Sequence, residues 1–261
     1  MAGSDIEMAG VMVRRRRGLR FRRWALRLVL LLLLLGLAAA GWAQAKVVTL
    51  PGRVRLELKN RGSHYVPLAQ ISPKLQQAIV ATEDRTFYTN PGVSFEGMAR
   101  AFWVDLQNRA FTEGGSTITQ ELARDQFLTP QKTVSRKIKE IILALAITRN
   151  FTKPEILELY LNEVYFGHGA SGIAAAAATY FHRSPALLTW AQASLLAGLP
   201  QAPTLYDPYR NRAAARARQA QVLAALVSNG TLTAPAARAI AAAPLGLGGT
   251  AWLGTKRSSS G

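Results

Sequence analysis

Residues 24–43 read WALRLVLLLLLLGLAAAGWA, an apolar run whose single charge, Arg27, comes early. Its centre, Leu28 to Leu37, holds only Leu, Val and one Gly. Twenty residues at helical rise cover about 30 Å, the depth of a bilayer's hydrocarbon layer. Trp24 and Trp42 stand at opposite ends, where amphipathic aromatics settle. Arginines crowd the side before the run, so the positive-inside bias keeps residues 1–23 in the cytoplasm and sends everything after Ala45 across the membrane. The small residues Ala38, Ala39, Ala40 and Ala43 leave a cleaved signal peptide as the alternative, although the run exceeds a usual signal core. Both readings export the remainder.

Outward from this run, the 261-residue chain carries a net charge of +17, of which the first 27 residues supply +6 and the rest +11. Such a chain is drawn to polyanions. Export makes nucleic acid an improbable target and leaves anionic, membrane-bound or cell-wall substrates. Cysteine is absent, so disulfides, thiolate metal sites and a cysteine nucleophile are excluded. His64, His168 and His182 are too scattered to predict a zinc site.

The exported part is predicted to be mainly α. Val47 to Leu68 reads as an irregular, strand-like element with turns at Pro51-Gly52 and Arg61-Gly62-Ser63. After it, Ser72-Pro73 opens a helix running towards Arg85, and Thr129-Pro130 opens a long one to about Arg149. Thr152 and Glu155 form a capping box for Lys153 to Asn162. Ala174 to Ala178 favours helix, Ser184-Pro185 marks another start, and Asn211 to Ser228 ends near Gly230. The apolar positions of Phe95 to Phe111 fall at helical spacing, either as a core stripe or as a surface dipping into the bilayer. The Ser-rich tail from Thr255 is expected to be disordered.

Three groups of residues carry chemistry. Glu83-Asp84 closes the helix begun at Pro73, where paired carboxylates oppose the macrodipole. Gly114 to Gln120 combines two glycines with the hydroxyls of Ser116, Thr117 and Thr119, able to offer backbone N–H groups to an anion and hydroxyls to a sugar. In the long helix, Arg136 and Glu140 lie about 40° apart with Lys137 about 60° further round. Val134, Ile138, Ile141 and Leu145 fall on the other side, the expected core face. Taken singly, each group reads as a solvated pair, a loop and a charged helix face. Together they supply a carboxylate to accept a hydroxyl proton and cations to stabilise a departing pyrophosphate.

These residues, in this order, resemble the peptidoglycan glycosyltransferase family. Its motifs look like Glu83-Asp84 with Phe87, Asn90 and Gly92; Gly114 to Gln120 with Arg124; Arg136, Lys137 and Glu140; Ile156 to Asn162 through Tyr165-Phe166-Gly167 and Gly169; and Ala197 to Pro203. Five motifs in order are specific where one is weak. The resemblance implies a lysozyme-like, two-lobed glycosyltransferase domain behind one transmembrane helix. It divides the chain into a basic tail (1–23), a span (24–43), the catalytic domain (44–235) and a partly disordered extension (236–261). It implies Glu83 as general base on the acceptor hydroxyl and Glu140 as the second catalytic carboxylate. Ser116, Thr117, Gln120, Arg124, Arg136, Lys137 and Asn162 become substrate-binding residues. Lipid II and the growing lipid-linked glycan become the partners, joined into β-1,4 strands with inversion, on the outer side of the cytoplasmic membrane. Other cell-wall synthesis proteins are candidate partners. No cofactor is required, although some family members are helped by a divalent cation.

The chain departs from the family pattern at Asn90, where His is usual, at Glu121, where Gln is common, and at Asp125, where Asn is usual. The last two add negative charge near a site for pyrophosphate. Only about 53 residues follow Pro208, so the monofunctional form is expected. The rival readings are a membrane-anchored lytic enzyme, which has no need of clustered cations, and a cell-wall scaffold with weakened turnover.

Overall fold

The structure, a computed structural model, describes residues 3–94, 96–99, 115–131 and 133–248, with backbone alone for 3–21 and 23. The chain divides into two compact units, residues 1–45 and 46–261. Within the first lies most of α1 (Gly3–Val47). Trp24–Val47 is long and apolar enough to cross a membrane, its 24 residues rising about 36 Å. The leucines at 30–35 and 37 are all exposed, as a helix surrounded by lipid requires.

The second unit is built from α2 (Leu50–Asn60), α3 (Pro73–Glu83), α4 (Ile118–Phe127), α5 (Val134–Asn150), α6 (Lys153–Glu163), α7 (Gly172–Phe181), α8 (Trp190–Gly198), α9 (Arg212–Ser228) and α10 (Ala234–Ala242). Single 3-10 turns cover Leu68–Gln70 and Pro185–Leu187. Among the described residues there is no β-strand, only an isolated bridge between Tyr165 and Ser171. The strand-like reading of Val47 to Leu68 is therefore corrected to helix. Pro51 and Gly52 fall in the first turn of α2, where a missing N–H is no loss, and Leu50, Val54 and Leu58 recur every fourth residue on its buried face.

Helix α3 packs against α8 and α9, with α10 on α9; α4 packs against α5 and α6, which in turn meets α2 and α7. Capping boxes start α4 (Thr117, Gln120), α6 (Thr152, Glu155) and α8 (Thr189, Gln192). Each such cap is worth about 1 kcal/mol. Gln219 of α9 donates to Ala191 O at 2.7 Å and Ser194 Oγ at 3.1 Å, fixing α9 on α8.

Helix α5 differs from its predicted form in two ways. It begins at Val134, capped by the Thr133 side chain, rather than at Thr129-Pro130. Its apolar stripe also faces out: Val134 is 78% exposed, Ile138 54% and Leu145 42%, whereas Glu140, Leu143, Ala144 and Ile147 are buried. The small Ala144 lets the neighbouring loop approach, and Glu140 enters the interior because two cations accompany it. Helix α10 runs across the 235/236 boundary drawn from the sequence, and Arg216 of α9 holds its C-terminal end through Ala241 O and Ala243 O. Of Phe95 to Phe111 only residues 96–99 are described, as helix; the rest, together with Gly114 and the tail from Thr255, lies outside the described residues.

Candidate active site

Glu83 is the last residue of α3, and the chain turns sharply after it. Asp84 organises that turn. Its two carboxylate oxygens accept from the Asn90 amide at 3.0 Å each, and Thr86 Oγ1 donates to one of them at 3.1 Å. Asn90 in turn accepts from Gly92 N at 2.9 Å and Lys153 Nζ at 3.1 Å. Asn90, at the place where the family usually has His, is thus a structural hub for the loop.

Gly92 ties this loop to its neighbours. Its φ is +98°, and a Cβ there would lie 2.3 Å from Thr148 Oγ1 and 2.7 Å from Ala144 O, both on α5. Only glycine fits. The Gly92 carbonyl accepts from Thr117 Oγ1 at 2.6 Å, joining the loop to the N-terminus of α4. Thr117 and Gln120 form the capping box of α4, and both are buried.

One turn later α4 presents Glu121 and Arg124. Glu121 accepts from the Tyr160 hydroxyl at 3.0 Å. Arg124 pairs with Asp125 at 2.8 Å. From α5, Lys137 donates to Ser116 Oγ at 2.9 Å and forms a close ion pair with Glu140. Arg136 approaches the other Glu140 oxygen at 3.8 Å. Glu140 is therefore buried but doubly paired, which is what a buried carboxylate requires.

Glu83 is treated differently. Its Oε1 is buried without a hydrogen bond, and the nearest cation among the described residues, Arg218 of α9, stands 3.7 Å away. Burial pushes the Glu83 carboxyl up to about 7, against the pull of Arg218 and Arg124. Burial and the Glu83 charge raise Glu121 as well. Arg124 feels Glu140 in addition to Glu121 and Asp125, and its own guanidinium acts on Glu83. This arginine thus lies within electrostatic reach of both carboxyls that the motifs single out.

Beside it opens a cavity of about 670 Å³, with Arg61, Arg124, Asp125, Arg136, Glu163 and Tyr165 among its walls. The expected residues thus fall into three sets. Glu83, Arg124, Arg136, Lys137, Glu140 and Ser116 are linked by contact or field. Thr117 and Gln120 support them from below. Asn162 stands apart: fully buried, it exchanges two 2.8 Å hydrogen bonds with the Val66 backbone and gives a third to Glu158 O. Its amide holds the chain before α3 to α6, so in this conformation it faces the protein backbone rather than the cavity beside Arg124. Arg218 was missed because no local pattern marks one arginine of an Ala- and Arg-rich helix as the partner of a distant glutamate. Among the described residues, no three His, Cys, Asp or Glu side chains gather as metal ligands do.

Residues 52–227 match the transglycosylase family. Penicillin-binding protein 1A of Rickettsia felis is 42% identical over 184 residues, 69% of this chain and 23% of that protein. Penicillin-binding protein 1A of Escherichia coli K12 is 45% identical over 168 residues, 64% of this chain and 20% of that protein. Among solved structures, penicillin-binding protein 1A from Haemophilus influenzae matches 71% of this chain and 18% of its own, at 22% identity and a TM-score of 0.42. The chain spans less than a quarter of the length of these relatives. It belongs to the transglycosylase family, the one its motifs resemble.

Proposed function

We propose that this chain is a peptidoglycan glycosyltransferase that polymerises lipid II at the outer face of the cytoplasmic membrane. The observation that carries this reading is the Glu83 carboxyl: one oxygen buried and unbonded, its pKa pushed up to about 7, and sharing Arg124 with the Glu140 cation cluster. A base with that affinity for protons is matched to a hydroxyl acceptor at neutral pH. Glu83 takes the proton of the acceptor sugar's 4-hydroxyl as its oxygen attacks C1 of the donor. The C1–O bond to the pyrophosphate breaks as the new bond forms on the opposite face, so the α-linked donor yields a β-1,4 glycan.

Negative charge collects on the leaving pyrophosphate. Arg124 and Arg136 on the cavity wall, with Lys137 beside them, oppose it, and cations already in place need no reorganisation during the step. Glu140 positions Arg136 and Lys137 rather than moving a proton itself, since both its oxygens are engaged. Ser116 holds Lys137 from the other side.

The test is incubation of the purified full chain with lipid II and, separately, with finished peptidoglycan. Polymer from lipid II, lost in Glu83→Gln while lipid II binding persists, supports the reading. Release of muropeptides alone would place the chain with lytic enzymes instead, and lipid II binding without any polymer would make it a scaffold.

A further inference from the structure

The reaction above leaves unused a carboxyl in the wall of the cavity beside Arg124. Glu163, the last residue of α6, is buried, and its Oε2 has no hydrogen-bond partner. Its other oxygen lies 3.8 Å from Arg61 Nη1. Several groups face it. Helix α2 contributes Glu57 and Arg61, α4 contributes Arg124, Asp125 and Gln126, α5 contributes Arg136, and Tyr165 follows in the chain. The Gln126 amide also donates to Glu57 at 3.3 Å, so it serves two carboxyls. An orphaned oxygen among these groups calls for a donor, a proton or a ligand to satisfy it.

Charge decides between them. The ionised walls comprise Arg61, Arg124 and Arg136 against Asp125 and Glu163, a net +1 that becomes +2 once Glu163 is neutral. An anion with two charges favours the second state. A protonated carboxyl also gains an O–H donor that a carboxylate lacks.

We infer that Glu163 is a further substrate-binding residue, which takes up a proton from solvent as a doubly charged diphosphate enters the cavity and donates a hydrogen bond to one of its oxygens. The inference rests on the reading of Arg124 and Arg136 as diphosphate ligands. Burial and the neighbouring Glu57 hold the Glu163 carboxyl up at about 7 despite Arg61, so the required proton lies within easy reach near neutrality.

The probe is methanedisulfonate, a diphosphate mimic whose two charges do not titrate near neutrality, added to the full chain in detergent and followed by calorimetry. In the wild type, affinity weakens above about pH 7, approaching tenfold per pH unit for one linked proton. Buffers of different ionisation enthalpy report uptake approaching one proton per anion at about pH 8. Glu163→Gln, an isosteric neutral donor, matches the wild type at about pH 6 and keeps only the shallower slope that Glu83 and Glu121 impose through Arg124, binding roughly tenfold more tightly than wild type at about pH 8.

Parallel pH profiles for the two proteins would overturn the inference. So would wild-type binding without proton uptake at about pH 8, a readout that stands even if the variant fails to fold. Absence of anion binding at every pH removes the arginine site itself. Lipid II polymerisation, measured separately, tests the proposed reaction independently of Glu163.

Discussion

Glu83 and Glu140 are the same side chain, one largely and the other fully enclosed, yet they meet opposite surroundings. Glu140 lies on α5 with Lys137 and Arg136 drawn onto its two oxygens. Glu83 ends α3 with one oxygen unbonded and the closest cation among the described residues, Arg218, 3.7 Å away. Burial without close pairing raises a carboxyl's affinity for protons, whereas close pairing spends its charge on fixing neighbours. In the proposed reaction the contrast gives one residue type two roles. One would be a base kept ready for a proton, and the other an anchor that aims two cations.

Four experiments can break this contrast, taken from the largest expected effect to the smallest. Glu83→Gln should cut polymerisation by about 10²–10⁴-fold or more. Its thermal midpoint at about pH 8 should hold or rise, because an unbonded buried charge is removed. Normal polymerisation by this variant would end the assignment of Glu83 as base.

Glu140→Ala should behave in the opposite sense. It strands Lys137 and Arg136, and breaking a buried pair costs about 3–5 kcal/mol of stability. Activity should fall as well, by about 10²–10³-fold, as misaimed cations no longer meet the leaving group. If urea titration showed unchanged stability, the pairing would not be what holds Glu140 inside.

Glu121→Gln is subtler. The Glu83 charge helps raise Glu121 to about 8, so Glu121 still holds its proton while Glu83 titrates near 7, and a neutral Gln should leave the Glu83 pKa in place. The rising limb of the kcat profile should then stay near pH 7, with lipid II affinity little changed. A limb displaced by a pH unit or more would mean that Glu121, and not Glu83, controls it.

The smallest effect concerns stability against pH. Glu83, Glu121 and Glu163 are all raised in the folded protein, to about 7, 8 and 7. Between the ordinary carboxyl value and about 8, the folded chain therefore holds protons that the unfolded chain has released. This contribution to stability is complete at low pH and lost as pH climbs through those values. The thermal midpoint should fall over that window, less steeply in Glu83→Gln and Glu163→Gln, and an equal slope in all three proteins would remove these groups as the cause.

Much of this arrangement was legible in residue order. Thr152 with Glu155 gave a cap that the structure contains, and the helices from Pro73 and to Ser228 lie where turn chemistry places them. Local hydrogen bonding decides such features, so a short window suffices. Two readings failed for a shared reason. Val-rich residues after Pro51-Gly52 read as strand, and Val134, Ile138 and Leu145 read as core, because composition and period do not say what lies opposite a face. In α5 the ion-pair partners of Glu140 are on the same helix, and the buried face is the one that carries Glu140, Leu143, Ala144 and Ile147. Of the site, the charged residues were visible as motifs, whereas the link from Arg218 to Glu83 and the enclosure of Asn162 by Val66 join segments far apart in the chain.

Gly92 carries a consequence of a different kind. The loop after Glu83 brings its bare α-carbon up to the Thr148 hydroxyl and the Ala144 carbonyl of α5, so the gap there is closed to any side chain. Shortening Thr148 would relieve one of those contacts, but the Ala144 carbonyl, which no exchange of side chain removes, would remain. In a saturation mutant library, position 92 should therefore stay glycine even among variants selected for altered substrates or for escape from inhibitors.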